Sequence, residues 1–192
     1  GQASYGGGIS CSSSSSPTMT NVTISGNAAS DNGGGIYCNN SDPSMENVTI
    51  SDNAADGDGG GIWAESSDFT INNSTIVENV ALNGRGGGIY FYDGLLTMDS
   101  ISVVDNQAKE SGGGIYGIIQ NYDDWTFENI LVAKNLVSNS TSSGNSDGGG
   151  GIHINGEGNA TFNHATIVDN HIDGYGFGGG IQKGGGNASV YV

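Results

Sequence analysis

The stretch Gly33-Gly-Gly-Ile-Tyr-Cys-Asn-Asn-Ser-Asp-Pro-Ser-Met-Glu-Asn-Val-Thr-Ile-Ser-Asp-Asn53 decides the fold. It opens on a glycine triplet followed by Ile36. It closes on a β-branched residue, two variable positions and Asn53. Both markers recur through the chain. The isoleucines that follow a Gly triplet stand at 9, 36, 62, 89, 115, 152 and 181, in steps of 27, 26, 27, 26, 37 and 29. The second marker ends at Asn27, Asn53, Asn79, Asn106, Asn135 and Asn170. Extra residues collect in two places, which is how loops behave in a stacked repeat.

Counting back from each marker Asn exposes the local structure. Eight residues before it stand Met19, Met45, Ile71, Met98, Phe127 and Phe162; three before it stand Ile24, Ile50, Ile76, Val103, Val132 and Ile167. Five before it stand Val22, Val48, Ser74, Ile101, Ile130 and Ala165. The alternation has period two, as strands require, and Gly, Asn and Ser clusters punctuate it. A coil of about 26 residues then holds three short strands and three bends, and no single coil can bury its inner face. Stacking six to seven coils in register creates one continuous core, about 30–35 Å long at the spacing of parallel strands. The expected fold is an all-β, right-handed parallel β-helix, a single domain over 1–192 with a loop insertion at 138–147.

The markers resemble those of known proteins. Gly-Gly-x-Ile followed by hydrophobe-x-x-Asn is similar to the repeats of polymorphic outer-membrane proteins, and more broadly to right-handed parallel β-helices of the pectate-lyase-like superfamily. The chain departs from the former in having Gly at the third position instead of Ala, and Ile or Val instead of Phe before the Asn. The resemblance implies a fold. That superfamily spans lyases, hydrolases, adhesins, phage tailspikes and passenger domains, so it does not select a function.

Composition excludes several classes. The 192 residues carry a formal net charge of −16, with four basic side chains, Arg85, Lys109, Lys134 and Lys183. Nucleic acid is therefore excluded as a partner, because neutralising phosphates needs a basic stripe. No apolar run approaches the roughly 18 residues of a membrane-spanning helix. The 36 glycines follow no Gly-X-Y period, which removes collagen. The chain begins and ends without evident caps, so a piece of a longer protein, or a unit that self-associates head to tail, is expected.

Candidate sites fall in columns. Asn27, Asn53, Asn79, Asn106, Asn135 and Asn170 read as a structural Asn ladder at an inner bend, since an amide both donates and accepts between coils. A second column, Asn21, Asn47, Asn73, Ser100, Asn129 and His164, marks another bend. The Gly triplets lack the Lys-Ser/Thr of a phosphate loop and repeat seven times, so they read as bends needing positive φ or close packing. After each Ile come Ser10, Tyr37, Trp63, Tyr90, Tyr116, His153 and Gln182. With Ile inward, Tyr37, Trp63, Tyr90 and Tyr116 form an outward, exposed aromatic ladder. Such a ladder suits an extended polysaccharide or cell-surface glycan, the alternative being self-stacking that stabilises the sheet.

Other constellations are thinner. Asp52-Asn-Ala-Ala-Asp56-Gly-Asp58 is the best local Ca²⁺ candidate, through Asp56 and Asp58, but it matches no calcium-loop motif, and solvated turns are the simpler reading; no cofactor is expected. Cys11 and Cys38 share a column one repeat apart, which leaves a disulfide and two buried thiols as alternatives. Of the Asn-x-Ser/Thr triplets, Asn139 in the insertion is the glycosylation candidate. Outward Thr23, Thr49, Thr75, Ser102, Leu131 and Thr166, with Ser25, Ser51, Val77, Val104, Ala133 and Val168 two residues on, resemble the ice-facing surface of solenoid antifreeze proteins, interrupted at Leu131 and Ala133. No catalytic constellation is recognised: His153, His164 and His171 form no metal motif, and Asp52, Glu78 and Asp105 are a candidate carboxylate column only. The functional expectation is an extracellular or cell-surface stalk or adhesin-like module. A carbohydrate-active enzyme fragment and a self-assembling filament subunit are the alternatives.

Overall fold

A computed structural model describes residues 2–140, 148–174 and 176–191. They form a solenoid of parallel strands, with no helix among them. The stacked strands make four parallel sheets of seven, seven, seven and six strands. Sheet B contains the strands that begin at each marker isoleucine, such as Ile36–Asn39 and Ile62–Glu65. Sheet C contains Ser44–Glu46 and Phe69–Asn72, and sheet D contains Thr49–Ser51 and Thr75–Val77. These are the three strands expected in each coil. A fourth strand follows each marker Asn and builds sheet A; it has two residues after the first four, as at Ala54–Ala55 and Val80–Ala81, and lengthens to Leu136–Ser140 and His171–Gly174 after the last two. Two residues are too few to show an alternating pattern, so this strand has no periodic signature.

Register is set by the repeat. Ile36 pairs with Ile62, which pairs with Ile89; Ile50 pairs with Ile76, and Met45 with Ile71. A shift occurs only between Ser138 and Ser140 among the described strand pairs. Those residues belong to the strand Leu136–Ser140, so the insertion expected at 138–147 begins as strand; residues 141–147 lie outside the described residues.

The core is a filled tube. Ile36, Ile62, Ile89, Ile115 and Ile152 line one wall; Met45, Ile71, Met98, Phe127 and Phe162 line another. Large and small side chains alternate across it. Gly117 takes the column position held by Phe91 in the preceding coil, and the Trp125 ring fills the space. Trp125 meets Phe91 edge-on at 5.3 Å, and its indole N–H donates to the Gly94 carbonyl at 2.9 Å.

The Gly triplet solves a corner, and its three positions do so for different reasons. Gly33 has φ +69°, a left-handed conformation that costs an ordinary residue. Gly34 and Gly35 lie where a Cβ would collide with the Gly60 and Gly61 carbonyls of the next coil. Their hydrogens let two backbones approach to strand spacing at a bend.

A Cβ at Gly117 would overlap the Trp125 ring, which is fully buried. Gly117→Ala is therefore expected to destabilise the fold by about 1–3 kcal/mol, the usual cost of overpacking, measured as a lower denaturant midpoint.

Candidate functional site

The six marker asparagines form one continuous ladder. Asn53 Oδ1 accepts two bonds from the preceding coil, from the Asn27 backbone N–H and from Asn27 Nδ2, both at 3.0 Å. Asn53 Nδ2 donates to the Ile24 carbonyl at 2.9 Å and to Asn79 Oδ1 at 3.0 Å. The motif repeats through Asn79, Asn106, Asn135 and Asn170. Asn53, Asn79, Asn106 and Asn135 are buried. The residues just before them, Asp52, Glu78, Asp105, Lys134 and Asp169, all have φ between 54° and 57°, which turns the chain so the amide points inward. This is why the acidic column Asp52, Glu78 and Asp105 exists: it is a row of exposed bends.

The second Asn column behaves as expected. Asn21, Asn47, Asn73, Ser100, Asn129 and His164 all have φ between 48° and 59°. Most of these side chains reach back to the preceding coil: Asn73 Nδ2 donates to Glu46 at 2.7 Å, Asn129 Nδ2 to Asp99 at 2.9 Å, and His164 Nδ1 to Glu128 at 2.8 Å.

The aromatic ladder forms, with Trp63 and Tyr116 buried and Tyr37 and Tyr90 half-buried. Tyr37 and Trp63 stack at 4.5 Å with rings 2° apart; Trp63 and Tyr90 stack at 6.1 Å, Tyr90 and Tyr116 at 5.3 Å. Tyr5 and His153 extend it at either end. Trp63 is 8% exposed and Tyr116 3%. The self-stacking alternative is the arrangement that forms: ring faces that could lie against a pyranose lie against each other. Loops add cover. The Arg85 guanidinium sits 5.3 Å over the Tyr116 ring, with its Nε 2.9 Å from Glu110 Oε2, a charge contact off the N–H direction. Asn155 Nδ2 donates to the Tyr116 hydroxyl at 3.0 Å. Burial, with Asp58 next, pushes the Tyr90 phenol well up.

Asp56 and Asp58 are engaged in coil-to-coil bonding. Asp58 Oδ1 accepts the Arg85 backbone N–H at 2.8 Å, and burial pushes its carboxyl above the ordinary value. Asp56 Oδ1 accepts from Asn83 Nδ2 at 2.7 Å. Among the described residues, no three His, Cys, Asp or Glu side chains converge as metal ligands. Cys11 and Cys38 are paired in register as two buried thiols. Asn139 lies in the strand Leu136–Ser140, with its side chain outside the described residues.

Two columns escaped the reading of the sequence. Before three of the Gly triplets a side chain caps the next coil: Asn32 Oδ1 accepts from the Asp58 N–H, Asp58 Oδ1 from the Arg85 N–H, and Ser111 Oγ from the Gly148 N–H. Nine residues before each marker Asn, Thr18, Ser44, Thr70, Thr97, Thr126 and Thr161 line the outer face of sheet C. Both columns are in phase with the markers, so the same counting would have found them.

With the fold and its ladders in view, the class is defined. A family model described as a right handed beta helix region matches residues 2–132, and the chain belongs to that family. No curated protein and no solved structure matches it. Right-handed β-helices occur in surface adhesins and in enzymes acting on polysaccharides, often outside the cell or at its surface. No helix among the described residues is long and apolar enough to cross a membrane.

Asn79→Ala removes an acceptor for two buried donors and leaves the Ile50 carbonyl without its amide. Each orphaned group costs about 1–3 kcal/mol, so a loss of at least about 3 kcal/mol is expected in chemical denaturation. The half-buried Asn27 should tolerate Ala better. At Glu128, hydrogen bonds from His164 and then Asn163 hold the carboxyl below its ordinary value of 4.5. A depressed folded-state value adds stability above the ordinary value, and this is lost as pH falls through the folded one. His164→Ala should raise the Glu128 midpoint in an NMR titration and shrink that acid-side dependence.

Proposed function

We propose that this chain is a rigid structural module of an extracellular, adhesin-type protein, holding other parts of a surface assembly at a fixed separation. The observation that carries this reading is the direction of its side-chain bonding. The Asn ladder, the aromatic stack and the caps before the Gly triplets all bond along the axis, from each coil to the next. Bonding of that kind resists bending and shear between coils. The fold's frequent place at cell surfaces supports the extracellular assignment. The net charge of −16 opposes non-specific association of such rods. The reading assigns the aromatic ladder to stiffness instead of glycan recognition, and assigns the chain no catalysis.

Rigidity can be measured directly. Thr20 and Asn163 are exposed and share an outer column of sheet C, five coils apart. Spin labels placed there, in a background with Cys11 and Cys38 replaced by Ser, should give one narrow distance distribution near about 24 Å, before label length is added. It should stay unchanged by Ca²⁺, EDTA or soluble polysaccharide. A broad distribution, or one that moves with any of these, would count against a rigid spacer.

A further inference from the structure

We propose that Cys11 and Cys38 are an oxidation site, at which a disulfide joins two successive coils of the solenoid. The inference goes beyond the spacer reading and does not depend on it.

Four observations carry it. These are the chain's two cysteines. They are direct register partners in sheet B, within an unshifted run from Ile9↔Ile36 to Ser12↔Asn39. Parallel neighbours in register have Cα atoms about 4.8 Å apart, inside the roughly 4.4–6.8 Å window that a disulfide spans without backbone movement. Both side chains point into the same inner column, and both are buried in the core. The next residue in the column is Ala64, whose small side chain leaves the pair uncrowded. Burial of both thiols also disfavours pairing with another chain.

The chemistry balances with a small-molecule disulfide as oxidant. The Cys11 thiolate, the less deeply buried of the two, attacks the oxidant and forms a mixed disulfide, releasing one thiol. The Cys38 sulfur, losing its proton, then displaces the second thiol. Two protein thiols give up two electrons and two protons, and the oxidant becomes two thiols. Burial, with Cys11 adding to it, pushes the Cys38 thiol up, so closure is slow in the folded state and faster while the coils assemble. The product closes one full coil, from position 11 to position 38, into a covalent ring. Such a link acts chiefly by restricting the unfolded chain.

The test is refolding of the full chain from urea in a glutathione redox buffer, beside oxidation of the folded protein. Each sample is then denatured and alkylated without reductant. The refolded protein should take up no label, weigh about 2 Da less than its reduced form for the two lost hydrogens, and take up two labels after reduction. Its thermal midpoint should lie on the order of 5–10 °C above that of the reduced protein. That gap should vanish in Cys11→Ser and in Cys38→Ser. Two labels on unreduced refolded protein would overturn the proposal, as would a disulfide found only between chains or a midpoint indifferent to reductant.

Discussion

Every coil of this protein must lie at strand spacing from its neighbours around its whole perimeter, corners included. Along the strands this costs nothing, because parallel pairing sets the distance. At corners it is a severe demand, since a bend brings carbonyls and Cβ atoms of adjacent coils together. Two devices meet it. Glycines such as Gly34 and Gly35 remove the Cβ that would strike the next coil. The Asn ladder replaces the backbone pairing lost at a bend, with one side chain satisfying groups from the coils on either side. Registry then extends from corner to corner, and the hydrophobic columns follow it.

The same registry absorbs most residues that could have done chemistry. A ring repeated every coil stacks on its own copies before it can meet a ligand, and Trp63 between Tyr37 and Tyr90 has both faces occupied. Asp58, which by composition suggested a cation site, accepts a backbone N–H from the next coil. The carboxylates before the marker asparagines are bend residues in a left-handed conformation. A solenoid with this repeat thus turns its functional groups into intercoil bonds, and stiffness is the property they share. The oxidation site proposed for Cys11 and Cys38 follows the same geometry, because the register that stacks aromatics on the outer face of sheet B also aligns two thiols on its inner face.

Much of this was legible in residue order alone. Two markers in phase implied a stacked coil, and period-two columns sorted inward from outward positions. The inner Ile, Met and Phe columns, the Asn ladder, the positive-φ bends and the pairing of Cys11 with Cys38 all follow from counting. These features are local or periodic, and an exact repeat turns sequence separation into vertical distance. The fourth strand of each coil was not visible, because a two-residue strand such as Ala54–Ala55 is shorter than the pattern that would reveal it.

Exposure was decided by the tertiary structure. Periodicity says that Trp63 and Tyr116 point away from the core, and they do. It does not say that ring faces lie against one another at 4.5–6.1 Å, or that Arg85 reaches from a loop to cover Tyr116. The fit of Trp125 over Gly117 is likewise a matter of volume, since the two residues meet across the tube. Column membership is a property of one chain position; solvent access depends on everything packed around it, and that exists only once the coils are stacked.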